Sequence, residues 1–274
     1  MVKKIFTVVV YIFAGIGLFL VFGYAAVRFG LTNEKGIIDT QRETFLEGAS
    51  PSKAVAEEAY SGPWQESEEW KVLESAIRRD EAVINRAAAD AGVPARLIVA
   101  NLVAEQLRLF FTEREAYKKW FYPLKILGPQ SQFSWGVMGM KEDTAIQVEE
   151  NLKNVASPFY LGAQYEGKLA FATSDVKTER FTRMTDQHDH YWSYLYAGLY
   201  LKQIMAQWER AGFPITERPE ILSTLYNIGF RYSNPNPDPK TGGAALTIAG
   251  STYSFGGVAA DFYESELLID IFPR

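Results

Sequence analysis

The stretch VPARLIVANLVAEQLRLF, residues 93–110, decides how the rest of the chain is read. Pro94 stands where a first-turn proline is tolerated, and Gly92 before it closes a preceding helix. From Leu97 to Ala104 nearly every residue is apolar or small, and then comes Glu105. Burying a carboxylate at the end of such a run is costly unless something compensates it. Upstream, Val72, Ile77, Val83, Ile84, Ala87, Ala88 and Ala91 fall largely on one helical stripe from about residue 71.

Downstream, residues 111–134 are aromatic and mixed, with Pro123, Gly128 and Pro129, and read as a long connection. Thr144–Leu152 reads as a helix, 157–168 as another, and the polar stretch 172–190 as a loop. Asp189 or His190 opens a strongly aromatic helix that closes near Gly212. Pro219 starts a further one ending at Gly229. RYSNPNPDPKTGG is a loop by its prolines. Ala245–Ile248 and Thr252–Phe255 form a hairpin signal, and Val258–Leu267 a last helix. The expected fold is mostly α with a small late β-hairpin. No internal repeat is present.

The chain has 274 residues, 47% hydrophobic and 14% aromatic, the composition of a folded protein. Its net charge of -5 offers no electrostatic footprint for nucleic acid. With no cysteine it has no disulfide, thiolate metal site or cysteine nucleophile. Lys3 and Lys4 precede an uncharged run, Ile5 to Val27, long enough to span about 30 Å of hydrocarbon. It reads as an N-terminal transmembrane helix, with a cleaved signal peptide ending near Gly23-Tyr24-Ala25 as the alternative. The lysines favour an inside N-terminus. The expected organisation is an anchor over 1–30, a stalk over 31–70 with a short helix near Ser52–Tyr60, and a main domain over 71–274. Trp64 and Trp70 suggest that the end of the stalk docks on that domain.

Three stretches belong together: the helix ending in Glu105, SWGVMGMKEDTA at 134–145, and LSTLYNIG at 222–229. In this order they resemble the lytic transglycosylase and goose-type lysozyme family of peptidoglycan-cleaving enzymes. The family pattern is a helix ending in the catalytic glutamate, then S-x-G-x-M-Q-I-x-P-x-T-A, then A-x-Y-N-A-G. Ser134, Gly136, Met138, Thr144 and Ala145 match the second part in register, and Tyr226, Asn227 and Gly229 the third. Ala197-Gly198-Leu199-Tyr200-Leu201 looks like the family's A-G-x-x-Y-L helix. The resemblance covers roughly residues 75–230. The chain departs from the pattern at Gln106 (usually Ser), Gly139 (usually Gln) and Glu142 (usually Pro).

The resemblance implies a lysozyme-like fold and cleavage of the β-1,4 bond between N-acetylmuramic acid and N-acetylglucosamine. Glu105 would be acid and then base, with no second carboxylate and no cofactor or metal. Apolar surroundings would keep Glu105 protonated, because burial disfavours the charged form. Ser134, Gly136, Met138, Tyr226 and Asn227 are the implied substrate-side residues. Tyr226 and Asn227 would orient the glutamate or the N-acetyl group, and Ser134 would bond the glutamate. The partners are then glycan strands and, through the N-terminal helix, the bacterial inner membrane, with the catalytic domain on the periplasmic or wall side. A hydrolytic muramidase on the same fold stays open, with Glu113, Glu142, Asp186 or Asp189 as its second carboxylate. So does an inactive glycan-binding scaffold. His188 and His190, with Asp186 and Asp189, read as a polar loop and helix cap, with a metal site as the alternative.

Overall fold

Arg96 to Leu107 are buried without interruption, so this helix has no solvent face. In the computed structural model it spans Ala95–Phe110 and is the third described helix, α3. The structure describes residues 63–110, 134–186, 188–248 and 251–274, with Tyr11, Gly17, Leu18, Val21, Phe22 and Phe45. The expected anchor and stalk, and the short helix near Ser52–Tyr60, otherwise lie outside the described residues. Among those described, no single helix is long and apolar enough to cross a membrane.

Before α3 come α1 (Glu68–Arg79) and α2 (Glu81–Ala91). After it come β1 (Ser134–Trp135), β2 (Met140–Lys141), α4 (Glu142–Lys153), α5 (Val176–Thr185), α6 (Tyr191–Arg210) and α7 (Pro219–Ile228). The chain ends with β3 (Ala245–Ile248), β4 (Ser251–Ser254) and α8 (Phe255–Glu264). A helix that is apolar all round must be covered all round. α3 is covered by α1, α2, α6, α7, α8 and β3. The second hub is α6, which packs on α2, α4, α5 and α7. It comes close because of Gly198: a methyl there would lie 2.7 Å from the Ala91 Cβ and 3.2 Å from Ile98 Cδ1. The β3–β4 hairpin is antiparallel, pairing Ala245 with Ser254 and Ile248 with Ser251.

Several expectations hold. Gly92 takes the left-handed conformation, φ +69°, and ends α2. α4, α6 and α7 stand where the pattern put them. Trp64 and Trp70 are buried, with rings edge to face at 5.3 Å. The folded body therefore includes residues that the expected boundary at 71 left to the stalk. Phe45 is buried too, and its carbonyl accepts from Arg79.

Others need correction. The stripe from 71 to 91 is two helices, broken at Asp80. Residues 157–168 hold turns and a short 3-10 segment, Ala163–Tyr165, because Gly162 sits at φ +104°. The last helix starts three residues early, at Phe255, where the Ser254 hydroxyl accepts from the Gly257 amide. The 172–190 stretch is not all loop. Asp175 caps α5 by accepting from the Thr178 amide. Only Arg180 and Met184 of α5 are buried, so the apolar period was too thin to read. Ion pairing docks this helix. Arg180 Nε and Nη2 donate to the two Glu149 oxygens at 2.6 and 2.7 Å, and the Tyr196 hydroxyl donates to the same carboxylate at 2.6 Å.

A second buried arginine closes the C-terminus. Arg96 has no exposed surface and donates only to main-chain carbonyls. These belong to Phe262, Tyr263, Ser265, Leu267 and Phe272, at 2.6–3.0 Å. They include the open carbonyl end of α8, which lacks intrahelical donors. Arg96→Met removes every donor and leaves buried acceptors unpaired, so urea unfolding should show a loss of about 3 kcal/mol or more. Arg96→Lys should recover little, because an ammonium cannot reproduce the planar five-donor fork.

Candidate functional site

The Glu105 side chain leaves α3 one turn before the helix ends and is 3% exposed. Arg108, three residues on, lies over it. Arg108 Nη2 donates to Oε1 at 2.9 Å and to Oε2 at 3.0 Å, and Nε donates to Oε2 at 3.2 Å. Burial pulls the Arg108 guanidinium below its ordinary value. The expected setting for Glu105 was apolar surroundings alone. That is corrected here: burial disfavours the carboxylate charge, and the guanidinium favours it.

The second stretch folds onto this carboxylate. Ser134–Trp135 and Met140–Lys141 pair as a two-stranded ribbon, and Gly136 to Gly139 make the turn between them. The Gly139 amide donates to the Gly136 carbonyl at 3.0 Å. Both glycines are left-handed, at φ +70° and +61°, a conformation that glycine takes without a steric cost. Gly139 is also required by space. A Cβ there would sit 1.9 Å from Glu105 Oε1 and 2.5 Å from Cδ. The turn's main chain lies directly against the carboxylate. No residue with a Cβ could occupy this position with the turn so placed.

The turn is fastened from two sides. The Gln106 side-chain amide donates to the Val137 carbonyl at 2.5 Å. The Tyr226 hydroxyl, from α7, donates to the Met138 carbonyl at 2.9 Å. Burial pushes the Tyr226 phenol well above its ordinary value, so it remains a donor at neutral pH. Behind it, the Tyr200 ring packs at 5.2 Å and the Phe255 ring stacks at 6.4 Å. Trp135 meets Phe181 of α5 edge to face at 5.3 Å. The three stretches singled out in the sequence therefore come together around one carboxylate.

Individual roles shift. Tyr226 reaches the turn's main chain. Asn227 Oδ1 accepts from the Ala244 amide at 2.8 Å, holding the loop that leads into β3. Met138 is fully buried, so its side chain packs and its carbonyl takes the Tyr226 bond. Gly136 is buried in the turn. The side chain of Ser134 lies outside the described residues, as does Glu113.

The other carboxylates are otherwise engaged. Asp186 accepts from the His188 and Asp189 amides, and Asp189 pairs with Arg86 at 3.4 Å. Glu142 lies 3.7 Å from Arg180, and burial raises its pKa. His190 Nδ1 is 2.6 Å from Asp80 Oδ2, which also accepts from the Tyr194 hydroxyl at 2.7 Å. Among the described residues, no three of His, Cys, Asp and Glu gather to hold a metal.

Sequence reasoning missed Arg108 and the use made of Gln106. Glu-x-x-Arg spacing reads as an ordinary helix-surface pair, and only burial turns it into part of the site. No protein-family model, curated protein or solved structure matches the chain.

Gly139→Ala should be damaging for two separable reasons. The left-handed backbone costs an L-residue about 1 kcal/mol, and the methyl must displace the carboxylate. A lowered melting temperature together with a displaced Glu105 side chain in a crystal structure is the expected outcome.

Proposed function

We propose that this chain is a membrane-anchored lytic transglycosylase of the cell envelope, on a lysozyme-like fold. The observation that carries the reading is the convergence at Glu105. A buried carboxylate ends an apolar helix, a two-glycine turn lies on it, and a tyrosine from the Tyr-Asn helix fastens that turn. The sequence places these pieces in the family's order. Four helical residues near the N-terminus, Tyr11, Leu18, Val21 and Phe22, expose between 59% and 73% of their surface, which fits a helix with apolar surroundings to enter.

In this reading Glu105 gives its proton to the glycosidic oxygen as the bond from the muramic acid C1 to that oxygen breaks. The 6-hydroxyl oxygen of the same muramic acid then attacks C1, and its proton passes to the Glu105 carboxylate. The products are a 1,6-anhydromuramic end and a free hydroxyl on N-acetylglucosamine. No water is consumed, and Glu105 ends as it began, protonated. One carboxylate suffices because the nucleophile is already part of the substrate. The glycines of the turn let main chain approach a sugar closely.

A second reading rests on the Arg108 pair. A carboxylate held by a guanidinium and covered by Gly139 also suits a scaffold that binds glycan without cutting it.

The test is digestion of purified peptidoglycan by the full chain in detergent, with Glu105→Gln alongside and products read by mass spectrometry. Anhydromuropeptides from the wild type and a loss of about 100-fold or more in the variant are the expected result. Reducing ends instead would mean a hydrolase. Binding to the sacculus with no product from either protein would mean a scaffold.

A further inference from the structure

We propose that Arg108 is a positioning residue that sets the proton affinity of Glu105 and returns its carboxylate to the glycine turn after each proton transfer. The proposal rests on the reading of Glu105 as a single acid and base. Such a residue faces opposite demands. It must hold a proton before the bond breaks, and it must be a stable carboxylate the moment the proton has left. Burial alone meets only the first demand. The geometry at Arg108 meets the second.

The pair is close and oriented: three N–H···O contacts of 2.9–3.2 Å join both carboxylate oxygens to two nitrogens of one guanidinium. Its two side chains are 14% and 4% exposed, so solvent screens them little. Main chain at Gly139 lies against the carboxylate, since a Cβ there would lie 1.9 Å from Oε1. The carboxylate is therefore located by a cation and by main chain together. Glu105 has further interactions besides these.

Other titratable groups stand around the site in known places. Tyr226 comes from α7 and is bonded to the Met138 carbonyl. Tyr200 comes from α6 and is bonded to the Leu225 carbonyl at 3.3 Å. Lys141 and Glu142 follow the turn, the first exposed and the second near Arg180. Among the described residues, the cation in hydrogen-bond contact with the Glu105 carboxylate is Arg108.

The sign follows directly. Removing the guanidinium destabilises the ionised carboxylate, so Glu105 keeps its proton to higher pH. The experiment is a carbon-13 titration of labelled glutamate carboxyls in the full chain in micelles, with the Glu105 signal assigned by its loss in Glu105→Gln. Arg108→Gln and Arg108→Met should each raise the Glu105 midpoint by about one pH unit or more. Arg108→Lys should recover most of that shift, because the charge is restored. A midpoint unmoved in whichever neutral variant melts as the wild type does would overturn the proposal. So would Arg108→Lys behaving like the neutral variants.

The titration needs no substrate, so it reports on the pair even if the chain cuts nothing. If it does cut peptidoglycan, the limb of the pH–rate profile that reports protonated Glu105 should move to higher pH by the same interval. An active chain whose profile is unmoved in a folded Arg108→Gln variant would leave the proposed activity standing and remove Arg108 from it.

Discussion

A helix with no polar face can be stable in water only inside other structure, and α3 imposes that condition on its neighbours. Arg96 to Leu107 are all buried, and five helices and a strand supply the cover. Once that is so, the charged side chains on α3 need partners from the structure around them. Glu105 is answered by Arg108 and placed against the turn at Gly139. Gln106 is answered in part by the Val137 carbonyl. Arg96, at the other end, is answered by five carbonyls of the C-terminal segment. The polar residues of one buried helix thus fasten two distant parts of the chain, the 134–141 ribbon and the C-terminus.

Buried charge recurs as the means of docking elements that have little apolar surface to offer. α5 buries only Arg180 and Met184 and is tied down by Arg180 on Glu149, with Tyr196 on the same carboxylate. Pairs of this kind contribute modestly to stability when whole, because desolvation offsets attraction, but removing one partner is severe. They also define position, since a planar fork meets a carboxylate in few geometries. Around Glu105 that precision has a use beyond stability. A carboxyl group asked to give and take a proton must return to one place.

Much of this architecture was legible in the residues. Gly92, Pro219 and Gly229 marked helix ends, and the aromatic run from Tyr191 marked α6. Glu105, Gly136 and Tyr226 were picked out by order and spacing along the chain. What escaped were features whose meaning depends on burial. α5 lacked an apolar period because an ion pair docks it. The burial of Arg108 and Arg96 was not legible, since arginine is usually a surface residue. That the Met138 side chain is buried was not legible either, because a motif carries no information about which side of a turn is covered.

The sequence by itself determined most of the helical elements, the late hairpin, and the set of residues to watch, because periodicity, helix stops and motif order are local properties of a chain. Only the tertiary structure decided what each of those residues touches. Glu105 meets Arg108 at near range, but its contact with Gly139 joins positions 34 apart in sequence, and the Tyr226 bond to Met138 joins positions 88 apart. No local rule sets such distances. They follow from how α3, α6 and α7 cross, and those crossings are settled by the shapes that a fully buried helix forces its neighbours to share.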